Sequence, residues 1–212
     1  MTKRKLCIVG AGGFGREIYW GFKNDFNAVG LSAENIVFLD EDEALIGKKI
    51  SESAVISFND FNPVEYEVII SVGDPAIRKL ITEKLPSETI YTTLYHSNST
   101  IMHLSTLQQG SVVTAGSIIT TNISIGKHAH INLNSTIGHD CIIGDFFTTA
   151  PGVNISGHCK IGNKVYLGTN ASIKNGITIC DNVTVGMGSV VTKNITEEGV
   201  YVGNPLRKLE KK

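Results

Sequence analysis

The chain carries almost no net charge: 19 basic residues against 20 acidic ones leave −1 at pH 7. So even a balance gives no electrostatic footprint for nucleic acid or an anionic membrane surface, and neither is expected as a partner. Cysteine is scarce, with four residues and no CxxC pair. Long apolar runs are also missing: the longest are strand-sized and broken by glycine or charge, so no membrane-spanning helix is expected. The basic start ahead of Leu6-Cys7-Ile8-Val9 superficially resembles a secretion signal. The apolar run stops at Gly10, Arg16 follows, and no cleavage-site pattern appears, so a first strand in a cytoplasmic protein is expected. Only 18% of the 212 residues are charged, while glycine is abundant at 22, which suits a turn-rich fold better than a disordered chain. The length allows one large domain or two smaller ones, with a real core.

What the chain does have is a period. An aliphatic residue returns every sixth position from Ile101 to Val191, and Thr149 is the only break in the series. A parallel β-helix needs that period, because each hexapeptide makes one side of a coil and sends one side chain to the axis. Eighteen residues close a coil, so a solenoid of about five coils is expected between about residues 100 and 195. Glycine follows the aliphatic residue at Gly126, Gly138, Gly144, Gly162, Gly168 and Gly186, which places these glycines at corners of positive φ. Cys141 and Cys159 lie three hexads apart, at a place where Ser105, Ser111, Ser117, Ala129, Ser135, Ala171 and Ser189 also fall, and read as stacked core-lining residues rather than a disulfide or a metal site.

Residues 1–95 have another texture. Strands at Lys5–Gly10, Asn35–Leu39, Val68–Val72 and Ile90–Leu94 alternate with helices at Phe14–Asn24 and Ala76–Lys84. That alternation predicts a parallel α/β sheet, a Rossmann-like half-domain of about four strands. The division is then 1–95 for the α/β domain, 96–198 for the solenoid and 199–212 for a capping tail with Arg207, Lys208, Lys211 and Lys212.

Gly10-Ala11-Gly12-Gly13-Phe14-Gly15 follows the first strand and opens the first helix. Glycines let the backbone approach a diphosphate, and the helix N-terminus supplies N–H donors. Asp40 at the end of the second strand can accept from a hydroxyl or a base edge, and Gly73-Asp74 sits where ligands of open α/β sheets collect. A nicotinamide cofactor, a purely structural turn and the diphosphate of a small nucleotide-linked substrate all remain open here. In the solenoid, Gly138-His139-Asp140-Cys141 keeps the repeat on both sides and puts His139 off the core-lining positions. An imidazole beside a carboxylate can act as a base near pH 7, although a solvated surface histidine fits the spacing too. His128-Ala129-His130 raises a metal question, but no third ligand joins it at suggestive spacing.

Taken in order, Gly10–Gly15, Phe38-Leu39-Asp40, Ser71-Val72-Gly73-Asp74, the hexads with Gly138–Cys141, and Gly199-Val200-Tyr201-Val202-Gly203-Asn204-Pro205 resemble one family across essentially the whole chain. It is the left-handed β-helix sugar acyltransferases related to bacterial sialic-acid O-acetyltransferase, especially those that N-acetylate nucleotide-linked 4-amino-4,6-dideoxysugars. The resemblance implies a homotrimer, acetyl-CoA as cosubstrate along the solenoid between two subunits, a UDP- or dTDP-linked amino sugar as acceptor, and no metal. It implies His139 as general base with Asp140 as its modulator, where many relatives carry glutamate, and the N–H of Gly157 as oxyanion donor. Nucleotide-sugar contacts map onto Gly12, Gly13, Phe14, Asp40, Glu41 and Gly73; coenzyme contacts map onto Thr148, Gly157, Thr169 and Met187. Thr149, the break in the register, adjoins that expected coenzyme groove. O-acetylation of a hydroxyl acceptor and a non-catalytic nucleotide-binding scaffold are the alternatives.

Overall fold

Leu6–Val9 are four buried residues in a row, the pattern of a strand covered on both faces. In the computed structural model, which describes residues 4–210, they belong to β1 (Lys5–Val9); Met1–Lys3, Lys211 and Lys212 lie outside the described residues. After β1 come α1 (Gly13–Gly21), α2 (Lys23–Ala28), β2 (Ile36–Leu39), β3 (Lys49–Ile50), β4 (Ser53–Ile56), β5 (Tyr66–Ile70), α3 (Pro75–Lys84) and β6 (Ile90–Tyr91). The sheet order is β3-β4-β2-β1-β5-β6, parallel except for the β3–β4 pair. The expected four strands are therefore six, because the β3–β4 hairpin escaped the pattern. The first helix is also split: α1 ends at Gly21 and α2 restarts at Lys23.

Alternate residues of β1 serve two cores. Leu6 and Ile8 pack with Ile18, Tyr19 and Phe22 of the first helical segment, while Cys7 and Val9 pack with Val68, Ile70 and Leu85. Chain order reverses at β1, with β2 on one side and β5 on the other. The crevice at their carboxyl ends is where ligands of such sheets bind.

The expected strand Ile90–Leu94 divides between two structures. Ile90–Tyr91 closes the α/β sheet, and Leu94–Tyr95 begins the solenoid. Tyr95 holds the hexad place before Ile101, but an aromatic residue hid it from an aliphatic count. At the other end Tyr201 stacks on Val185 after 16 residues instead of 18, a coil shortened by two. The stack is thus taller than the expected five coils. Its first face is 8-stranded, from Leu94–Tyr95 up to an antiparallel Arg207–Lys208; the second face is 6-stranded and the third 5-stranded. The aliphatic series fills the axis: Ile119, Ile125, Ile131 and Ile137 are all fully buried.

Left-handed backbone marks the corners, three places after each aliphatic residue rather than one. Every sixth residue from Leu104 to Gly188 has φ between 54° and 75°, including Asn122, His128, Asp140 and His158. The glycines that follow the aliphatic residue answer a different demand. A Cβ on Gly138 would lie 2.6 Å from the Gly157 nitrogen of the next coil, so these positions are small because coils approach closely there. Thr149 is fully buried, and its hydroxyl accepts from the Asn132 N–H at 2.9 Å and donates to Ser135 at 3.1 Å. The register break is a hydrogen-bonded core residue, not part of a surface groove. Cys141 and Cys159 are fully buried free thiols, as small axial residues should be.

Candidate active site

His139 and Asp140 lie on the corner between the second face, at Thr136–Ile137, and the third, at Ile142–Ile143. Neighbours in a flat strand point opposite ways, but Asp140 has φ +62°, and the turn brings both side chains together. A carboxylate can only accept, so the 2.6 Å contact means His139 Nδ1–H donates to Asp140 Oδ2. That fixes the tautomer and leaves a lone pair on Nε2, which has no partner among the described residues. The two side chains are 53% and 36% exposed, so a substrate can reach them. Asp140 is itself held: one coil below, the Asn122 amide donates to its Oδ1 at 2.5 Å. That bond first, and the His139 bond second, keep the Asp140 carboxyl below its usual range.

One coil above His139 stands Gly157. A Cβ there would lie 2.7 Å from His139 Cε1, so the glycine is what lets the imidazole lie across the coil. The Gly157 N–H makes no hydrogen bond among the described residues. At the next corner the matching N–H groups are capped by side chains, as with Asp145 N–H to Asn163 Oδ1 at 2.8 Å and Asn163 N–H to Asp181 Oδ1 at 2.8 Å. The corner at His139 keeps its donor free.

The glycine-rich turn closes over a strained point. Gly10 has φ +100°, and a Cβ on Gly15 would sit 2.0 Å from the Gly10 carbonyl oxygen. Ser71 ties it down, donating to the carbonyl oxygens of Val9 at 2.7 Å and Gly10 at 2.8 Å. Gly12 and Gly13 face open space at the N-terminus of α1, the arrangement that receives a phosphate. Phe14 leans on His130 with ring centroids 5.2 Å apart and lines a cleft of about 300 Å³ with Trp20, His96 and Leu133.

Two acidic residues expected at the ligand are already engaged. Asp40 accepts from the Ala11 N–H at 2.7 Å and the Asp42 N–H at 3.0 Å, so it shapes the turn. Glu41 pairs with Lys84. Thr148 is corrected outright: it is 1% exposed, and its hydroxyl donates to the Gly73 carbonyl at 3.0 Å and accepts from Arg78 Nη2 at 2.9 Å. It joins the α/β part to the solenoid and offers a coenzyme nothing. Thr169 and Met187 are exposed and stack on one another, but at the corner between the first and second faces. His139 and Gly157 occupy a different corner.

Arg78 was missed from sequence, where it reads as one more charge on a helix. It is fully buried, donating to carbonyls of Val72, Gly73, His128 and Phe147 at 2.7 to 3.2 Å. Burial, with no carboxylate in contact, lowers its pKa to about 9. His158 was missed too, although it lies 18 residues after Asp140, and that spacing was the available signal. The α/β part therefore docks on the first face, through Phe14–His130, Arg78–Thr148 and Tyr91–His128, whose ring centroids are 4.6 Å apart.

A glycine turn at a sheet switch point, docked on a hexapeptide solenoid that carries an exposed His–Asp pair, defines the class of hexapeptide-repeat acyltransferases with a nucleotide-type domain. The comparisons agree. Residues 5–85 match the PglD N-terminal domain, and residues 158–193 match the bacterial transferase hexapeptide of six repeats. GDP-perosamine N-acetyltransferase of Escherichia coli O157:H7 is 31% identical over 174 residues, covering 80% of this chain and 78% of that protein. WeeI from Acinetobacter baumannii AYE is 32% identical with a TM-score of 0.88, covering 98% of this chain and 100% of that one. The acetyltransferase domain of PglB from Neisseria gonorrhoeae FA1090, solved with acetyl coenzyme A, is 30% identical with a TM-score of 0.87 over 98% and 100% of the two chains. The chain belongs to the PglD-type left-handed β-helix N-acetyltransferases that act on nucleotide-linked amino sugars.

Proposed function

We propose that the chain transfers acetyl from acetyl-CoA to the amine of a nucleotide-linked 4-amino-4,6-dideoxysugar. The diphosphate rests at Gly12 and Gly13, and the sugar reaches the imidazole of His139. His139 Nε2 takes a proton from the amine as the nitrogen attacks the thioester carbonyl. The N–H of Gly157 donates to the oxygen on which charge develops; as the carbon–sulfur bond breaks, the His139 imidazolium returns its proton to the sulfur and coenzyme A leaves as the thiol. Asp140 holds the tautomer and stabilises the imidazolium. General-base catalysis of this kind is worth roughly 10²–10⁴-fold, and one oxyanion donor about 3–4 kcal/mol. No cysteine takes part, in keeping with the burial of Cys141 and Cys159.

The observation that carries this reading is the pairing of His139 Nδ1 with Asp140 at 2.6 Å, which frees Nε2. A second observation shapes it. The α/β part sits on the first face, while His139 sits on the corner between the other two, on the opposite side of a three-sided prism. One protomer's glycine turn therefore serves another protomer's His139. We infer a homotrimer with each site shared between neighbours, and a coenzyme groove that takes Thr169 and Met187 from one chain and His139 and Gly157 from the next.

The test is thiol release from acetyl-CoA with a panel of UDP-, dTDP- and GDP-linked 4-amino sugars and their 4-hydroxy analogues. Turnover restricted to an amine acceptor, and a fall in kcat of at least about 10²-fold in His139→Ala with the oligomer intact, are expected. Near-normal turnover in that variant would sink the assignment, and turnover restricted to the hydroxyl analogues would make the enzyme an O-acetyltransferase.

A further inference from the structure

We propose that His139, Asp140 and His158 form a binding site for a zinc-class divalent cation that switches the active site off. Asp140 Oδ2 lies 2.6 Å from His139 Nδ1 and 3.8 Å from His158 Nδ1. The three ligand atoms all fall within 4.8 Å of one another. The two imidazoles meet edge to face, centroids 4.8 Å apart at 88°, so both Nδ1 atoms converge on one carboxylate oxygen. Asn122 holds the other oxygen, which keeps Oδ2 turned toward the histidines.

The donor set selects the ion. Two imidazoles and one carboxylate suit zinc and its neighbours, whereas magnesium and calcium want oxygen alone. Zinc–nitrogen and zinc–oxygen bonds of about 2.0–2.2 Å place tetrahedral donors about 3.3 Å apart. The His139–Asp140 contact must open and the His158 contact close, each by well under the reach of an exposed side chain. Three protein ligands leave a fourth position for water, as in open zinc sites.

Occupancy stops the reaction for a reason of valence. A neutral imidazole has one lone pair. In the resting pair Nδ1 carries the proton and Nε2 the lone pair. A cation on Nδ1 takes the lone pair there and moves the proton to Nε2, which can then no longer accept one from the amine. The histidine is intact and present, but it is no longer a base. Binding stands on the geometry alone; only its consequence for turnover rests on the role of His139.

The test uses the full chain, tag-free and stripped with chelator, titrated with Zn²⁺ by calorimetry and with Co²⁺ by visible absorption. One ion per chain is expected, with Co²⁺ giving tetrahedral ligand-field bands. His158→Asn should weaken binding by at least about 10-fold. Asparagine suits that corner, since Asn122 holds φ +58° in the same column and His158 has φ +58° as well, and the melting temperature checks the fold. Zn²⁺ inhibition of acetyl transfer, each protein normalised to its own metal-free rate, should shift by the same factor. Absence of saturable binding, or equal affinity in His158→Asn and wild type, overturns the site. Saturable, His158-dependent binding without inhibition keeps the site and overturns the switch. Normal turnover in His139→Ala, with binding still dependent on His158, overturns the general base instead.

Discussion

At the scale of single residues, the site depends on what is absent at Gly157 as much as on what is present at His139. A methyl group there would meet the imidazole at 2.7 Å and the Nε2 atom at 2.8 Å. The ring is exposed and can swing away, so Gly157→Ala should leave stability within about 0.5 kcal/mol while lowering kcat by roughly 10²-fold. Thermal melts alongside initial rates check both halves, and a variant of normal kcat would mean that the ring does not need that seat. His139 and Asp140 were legible because they depart from the repeat at a point where it is otherwise kept. Arg78 was not, because a helical arginine among Ile77, Lys79 and Leu80 looks solvated until the partner surface is known. Thr148 misled for the converse reason: its place in the hexad says nothing about which face another domain covers.

Among the elements, α3 is fastened to the solenoid by one guanidinium. Arg78→Met would leave the carbonyl oxygens of Val72 and His128 without donors and take one of two donors from those of Gly73 and Phe147, at a cost on the order of 3–5 kcal/mol in denaturant-midpoint measurements. The same junction makes the protein sensitive to acid. Burial first, and then the nearby Arg78 cation, lower the His128 pKa from 6.5 to about 4, and His130 moves the same way. Unfolded histidine takes up its proton near 6.5, whereas the folded one does so only near 4. Stability is therefore complete above pH 6.5 and is lost as pH falls toward 4. The melting temperature should drop across that window, and His128→Asn should flatten the drop. The hexads were readable because every coil repeats one demand. The β3–β4 hairpin was not: its turn residues Ser51 and Glu52 adopt φ 49° and 74° without the Asn-Gly signal that usually announces such a turn.

For the whole molecule, what matters is placement: the glycine turn docks on the first face, His139 stands on the corner between the other two, and the homotrimer proposed above joins them across protomers. Gly13→Glu meets open space, so it keeps the fold while setting a carboxylate where the diphosphate is proposed to rest. That variant and His139→Ala should each be inactive alone. Refolded together in equal amounts, they should regain about a quarter of wild-type activity, since half the turns and half the imidazoles are sound and each site draws one of each. A mixture that stays dead would place both halves of the site in one chain. The same arithmetic reaches into inheritance. Two alleles that are null by themselves can complement in one cell, and a single defective allele spoils sites on its healthy neighbours. In the homotrimer proposed above, the unit on which selection acts is the assembled ring, not the individual polypeptide.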